Sequence, residues 1–300
     1  MSTYPQPTLF YMHRPAAPLD RFIERLWYWE GEPPSHARDR LLPTGCASLI
    51  INLAEDEIRN YRGEDDDQLE RLPGAVLVGA HSRYSVIDTH EQRAVLGVSF
   101  LPGGMWPFFD PSADELHNEQ VFMGELWGSA GATLRERILA APAPHDKLMR
   151  VAAELLERAI RPISRRPEID FAVTRLTHAP HEQTIAMLSE RVGLSPRRFT
   201  RLFTLEVGVT PKLYARIERF HLALRHMHRS CASAAPAYPG APRHSHFPVQ
   251  HRPIIDWTSI AQHCGYFDQS HLIRDCKAMS GFTPTELANR HIAGGHHVAI

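Results

Sequence analysis

Two runs of the chain, 73 residues apart, carry side chains suited to hydrogen bonding with the edges of DNA bases. The first holds Arg197, Arg198, Thr200, Arg201 and Thr204; the second holds Ser270, His271, Arg274 and Lys277. Arginine can grip guanine O6 and N7 with two parallel hydrogen bonds, and Ser, Thr and His donate or accept. A single arginine-rich run is ordinarily a solvated helix face. Repetition changes that reading. Residues 191–203 align with 264–276, pairing Leu194 with Phe267, Phe199 with Leu272 and Arg201 with Arg274. The run GVTP at 208–211 returns as GFTP at 281–284.

These side chains need a scaffold, and each copy reads as a helix-turn-helix. In the first copy Thr184 can cap a short helix whose Ile185, Leu188 and Val192 share a face. Gly193 supplies a turn that favours positive φ. Ser195 followed by Pro196 is a helix start, and Phe199, Leu202 and Phe203 form the inner face of the second helix. In the second copy Ile260, Ala261 and Cys264 support, Asp268 caps, and Leu272, Ile273 and Cys276 point inward. Such a pair lets its second helix enter a major groove. Between the copies, residues 212–227 hold a helical apolar pattern. Their sixteen positions predict a strut ~24 Å long.

The whole chain has 300 residues and a formal net charge of -1, which excludes a uniformly basic nucleic-acid coat. The charge is nevertheless divided. Residues 1–180 hold 19 basic and 26 acidic side chains; residues 181–300 hold 14 and 8. An acidic front and a basic back point to two domains with different partners. The front to about residue 105 reads as β, with strands expected at 47–53, 75–78, 84–88 and 95–100 and an acidic loop at 64–70. Helical spacing takes over from Leu134 to Ile160. The run RPISRRP at 161–167 marks a boundary. Residues 229–255 read as a flexible, low-complexity insertion.

Other chemistry finds less support. His244, His246 and His251 with Cys231, and His291, His296 and His297, are too loosely spaced for a structural zinc site. They read as a solvated linker and tail, with no metal and no cofactor expected. Cys46 follows the turn 42–45 without an adjacent cation to lower its pKa, so it reads as a structural thiol. Trp27 and Trp29 either line an apolar pocket or pack inside the front domain. No nucleophile elbow, phosphate loop or carboxylate pair is present, and no catalytic residue is assigned. Four cysteines without a paired spacing and no leader-like start make the cytoplasm the expected compartment.

Residues 166–290 resemble the DNA-binding domain of AraC/XylS-family transcriptional regulators. The resemblance is carried by VGLSPR at 192–197, GVTP at 208–211, GYFDQSHLIRD at 265–275 and GFTP at 281–284. It implies an all-α domain of two helix-turn-helix units, 184–207 and 257–280, joined by a long helix. Its base-contacting positions fall on Arg197, Thr200 and Arg201, and on Ser270, His271 and Arg274. The insertion within 229–255 departs from the family pattern. The runs PLDRFIERLW at 18–27, LPTGCASLII at 42–51, Val78-Gly79 and GVSFLPGG at 97–104 resemble an uncharacterised sensor-type domain fused ahead of such readers. That resemblance implies a small cupin-like β-barrel with trailing helices, so the fold class is α+β. The expected division is a sensor at 1–165, a reader at 166–290 and a His-rich tail at 291–300. Implied partners are double-stranded DNA, RNA polymerase and a small-molecule effector, with self-association into a homodimer open and no membrane. The rival readings are a DNA-repair alkyl acceptor, a metal-responsive protein, and a regulator whose front domain binds a protein.

Overall fold

Alternating apolar and polar side chains give the front half its strands, which lie in two antiparallel sheets. The computed structural model describes residues 8–62, 67–232, 255–290, 292–293 and 296–300. In chain order the front strands are β1 (Leu9–His13), β2 (Ile23–Glu30), β3 (Arg38–Leu41), β4 (Ser48–Asn52), β5 (Ile58–Arg62), β6 (Gln68–Leu72), β7 (Ala75–Val78), β8 (Ser85–Asp88), β9 (Ala94–Phe100) and β10 (Gln120–Phe122). Helices α1 (Met123–Trp127), α2 (Ser129–Ala132), α3 (Leu134–Leu139) and α4 (Pro144–Glu157) follow.

The first sheet runs β1-β2-β9-β4-β7-β10. Its period of two sends Leu26, Tyr28, Leu49, Ile51, Leu96 and Val98 to one face, where they join Leu134, Ile138, Leu148 and Val151 of the helices in one core. The opposite face carries Trp27 and Trp29, which pair across strands with Met12 and Phe10. Trp27 lies over Gly97, where a Cβ would come within 2.2 Å of the indole, and donates to the Ser99 hydroxyl at 3.3 Å. Asn60 on β5 donates to Gln120 on β10 at 2.9 Å, which ties the two sheets together.

The back half is helical: α5 (Pro167–His178), α6 (Ile185–Arg191), α7 (Pro196–Val207), α8 (Pro211–Ala232), α9 (Trp257–His263), α10 (Gln269–Ser280) and α11 (Pro284–Ala288). Helix α8 is thus longer at both ends than the strut expected from residues 212–227; its 22 residues span ~33 Å. Residues 229–232, expected to leave the helix, continue it. Residues 233–254 of the expected insertion lie outside the described residues.

Two short strands then return to the front, β11 (Ile292–Ala293) and β12 (His297–Ala299). They complete the second sheet, whose order is β11-β12-β3-β8-β5-β6. This differs from the expected solvated tail. Val298 is fully buried and sits in the same core as Leu42, Phe220, Leu272 and Phe282. Backbone pairing of β12 with β3, plus the apolar contact of Val298, holds the segment down. The acidic stretch also differs: Gln68 to Glu70 begin β6, and 63–66 lie outside the described residues.

The boundary at 161–167 is a stapled junction. Arg161 donates to the carbonyls of Trp106 at 2.8 Å and Asp110 at 2.7 Å. Arg165 donates to the carbonyls of Arg21 at 2.8 Å and Pro102 at 2.6 Å and pairs with Asp170 at 3.0 Å. Arg166 pairs with the buried Glu206 of α7. Further contacts join front and back: the Ala113 N–H donates to the Leu205 carbonyl at 2.9 Å, and Tyr214 packs against Gly45.

Candidate nucleic-acid interface

Each of the four helices of the two units starts where a side chain accepts a backbone N–H that the helix itself cannot satisfy. Thr184 accepts from Met187 N–H at 3.2 Å and Ser195 from Arg198 N–H at 3.4 Å. In the second unit Asp256 accepts from Ser259 N–H at 3.0 Å, and Asp268 from His271 N–H at 2.7 Å. The exits are alike: Gly208 and Gly281 follow α7 and α10 at φ +93° and +74°. At such angles an L side chain is strained, so glycine is the residue that ends these helices.

In the first unit Phe199 and Phe203 are fully buried among Leu176, Leu188 and Tyr214. That fixes the opposite face outward. Arg197, Arg198 and Arg201 are exposed and Thr200 is half-buried. Among the described residues no acidic side chain pairs with these arginines. In the second unit Leu272 and Cys276 are fully buried. Ser270, Arg274 and Lys277 are exposed, while His271 is half-buried. His271 is engaged locally: its ring meets the Tyr266 ring edge-on at 5.2 Å and its Nδ1 accepts from Phe267 N–H at 3.5 Å. Ile273, expected inside, is only half-buried. All six expected base-contacting residues therefore lie on helices α7 and α10, four of them exposed and Thr200 and His271 half-buried at the margin.

A feature that sequence reasoning missed is the clamp behind the second reading helix. Asp275 of α10 is 3% exposed. Arg216 of α8 reaches its Oδ1 at 2.8 Å and Arg219 its Oδ2 at 3.6 Å. Arg219 also lies over the Tyr266 ring, 4.7 Å from its centroid. The signal was present as Asp275 amid apolar inward positions, since an acid among core residues requires a partner. In the first unit Glu206 of α7 is the counterpart. Burial holds its carboxyl above the ordinary range, opposed by the Arg166 guanidinium.

The turns of the two units are not equivalent. Leu194 N–H donates to the Ser189 carbonyl at 2.9 Å, and Tyr266 N–H to the Ala261 carbonyl at 2.8 Å. Leu194 therefore corresponds to Tyr266, and Gly193 to Gly265, at φ +69° and +70°. The expected pairing of Leu194 with Phe267 is shifted by one residue, because the second turn holds one more residue before its cap. The second turn also meets the loop between α5 and α6: a Cβ on Gly265 would lie 2.2 Å from the His181 Cβ.

Residues 176–216 match the family of bacterial regulatory helix-turn-helix proteins, AraC family. The chain carries an AraC-type helix-turn-helix domain. Arg197, Thr200 and Arg201 fall within the AraC-type match; Ser270, His271 and Arg274 lie beyond it. Residues 11–122 match a domain of unknown function (DUF6597). No match was found among curated proteins. Among solved structures, unsaturated fatty acid bound wild-type ToxT from Vibrio cholerae strain SCE256 is 7% identical, with a TM-score of 0.42 over 95% of this chain and 96% of that one. ToxT from Vibrio cholerae O395 is 8% identical, with a TM-score of 0.40 over 93% and 96%.

The thiol chemistry of the alkyl-acceptor reading meets an opposing environment. Burial, with the Glu218 and Glu24 carboxylates, pushes the Cys46 thiol well above its ordinary range. An acceptor needs the thiolate, which these surroundings disfavour. His296 and His297 are built into the β12 region, and His244, His246, His251 and His291 lie outside the described residues.

Proposed function

We propose that the protein is a sequence-specific regulator of transcription that reads double-stranded DNA with α7 and α10. The carrying observation is the exposed cationic face of α7, where Arg197, Arg198 and Arg201 have no acidic partner among the described residues. Arg197, Thr200 and Arg201 read one stretch of major groove; Ser270, His271 and Arg274 read the next. Neighbouring basic residues secure phosphates and set the register.

The front domain is the sensing part, with a small apolar molecule meeting the open sheet face of Phe10, Met12, Trp27 and Trp29. Support for this comes from those four side chains, adjacent across β1 and β2 and left partly or largely exposed. The stapled junction and the shared core give such binding a route to the reading helices. RNA polymerase is the partner that completes the regulatory role, and a homodimer is compatible with it.

Replacing Arg201 by Ala tests the reading. At a preferred site the loss is about 1–3 kcal/mol, with relaxed specificity at one base position. Uniform weakening on all DNA, with a shallower salt dependence, would make Arg201 a phosphate contact instead.

A further inference from the structure

The extra residue in the second turn is Phe267, and its ring is 90% exposed. It is by far the most exposed large apolar side chain among the described residues. Tyr266, 4% exposed, takes the packing place that Leu194 holds in the first unit. The additional residue is left outside, between that buried tyrosine and the cap of α10.

Scattered apolar side chains on a surface are ordinary, so exposure alone decides nothing. Position does. Phe267 immediately precedes Asp268, the residue that opens α10. Its neighbours fix it there. The Asp268 carboxylate holds His271 N–H at 2.7 Å, the Tyr266 ring braces His271, and Phe267 N–H points at His271 Nδ1. The N-terminal part of a reading helix is the part that meets base edges. Ser270 is exposed one residue past Gln269, and Arg274 and Lys277 bring positive charge along the same helix. The major groove offers one apolar group to such a ring, the C5-methyl of thymine.

We propose that Phe267 is a specificity-determining residue whose ring covers a thymine methyl in the groove read by the second unit. This rests on the DNA-reading function proposed above. The first unit has no equivalent residue, so the two units recognise different chemistry and the bound site is asymmetric.

The test uses the full chain and a duplex recovered with it from a random-sequence pool. Each thymine is replaced singly by deoxyuridine, which lacks only the methyl. One replacement should weaken wild-type binding about fourfold, the value of one buried methyl at ~0.8 kcal/mol. Phe267→Ala should bind the thymine duplex at least that much more weakly, and be indifferent to the same replacement. Its melting temperature should equal the wild type's, because the ring is not packed in the fold. The proposal is overturned by a wild type indifferent to every replacement. An undiminished deoxyuridine penalty in the variant overturns it too, as does a lowered melting temperature, which would give the ring a packing role. Recovery of no preferred duplex would instead remove the DNA-reading function, and this proposal with it.

Discussion

His297 Nδ1 lies 3.1 Å from Asp39 Oδ2, so a residue of the tail is bonded to a buried carboxylate in the front sheet. Asp39 is 3% exposed, and its other oxygen meets His36 Nε2 at 2.8 Å. Ala299 pairs directly with Asp39 across the β12–β3 ladder. The contact joins the two ends of the fold: a strand reached only after the second reading unit completes a sheet begun before residue 42.

Removing either partner should therefore lower the stability of the whole chain. Asp39→Ala removes the carboxylate that meets both His36 and His297 and should cost about 1–3 kcal/mol in urea unfolding. His297→Ala should cost less. The double variant should cost less than the sum, with a coupling of about 0.5 kcal/mol or more. Strict additivity would mean that the tail is not held through this pair. Because β12 belongs to the front sheet, ligand screens by thermal shift should use the full chain, not residues 1–165.

The clamp on α10 gives a second expectation. Asp275→Ala leaves Arg216 and Arg219 without their shared carboxylate. Arg216 is partly solvated, which moderates the loss to about 1–3 kcal/mol. Since α8 and α10 are joined by this clamp, specific DNA binding should fall along with the melting temperature. A variant with unchanged stability and unchanged binding would show that apolar packing alone positions α10.

Glu91 predicts a pH dependence. Its carboxyl is buried, one oxygen accepting from Arg59 N–H at 2.9 Å, and burial raises its pKa from 4.5 to about 8. Between those values the folded chain holds a proton that the unfolded chain has released. Stability must fall as pH rises from about 4.5 to about 8, and this contribution is flat above that. Glu91→Gln keeps the acceptor and removes the titration. It should gain roughly 2–4 kcal/mol over the wild type between pH 5 and pH 8, each unit of pKa being worth ~1.4 kcal/mol. Parallel stability curves for the two proteins would contradict this.

The reading helices were legible in the sequence because their caps, turn glycines and inner faces are local signals. Ser195, Gly208, Asp268 and Gly281 act as their types and positions predict. The turn of the second unit is not legible in the sequence, because an ungapped alignment cannot show an added residue; the Tyr266 hydrogen bond reveals that Phe267 is the extra one. Strands β4, β7, β8 and β9 are apolar and were legible. Strand β6 is the sheet edge and β5 lies beside it; together they are rich in Arg, Glu and Gln, so their alternation is faint. Strand β12 contributes one fully buried side chain, and its pairing with β3 spans almost the whole chain. No local pattern encodes such a contact. Trp27 and Trp29 belong to β2, and their place opposite the helical core follows from strand register, which needs the partner strands.

Two helices on one chain read DNA sequence in the function proposed above. The most direct test is selection of duplexes from a random-sequence pool by the full chain at physiological salt, followed by affinities for the recovered and scrambled sequences. The expected outcome is one enriched site with two unlike elements about one helical turn apart, ~10 base pairs. That site should bind at least ~1,000-fold more tightly than scrambled DNA. An unenriched pool, or binding equal on both duplexes and removed by salt alone, would contradict it.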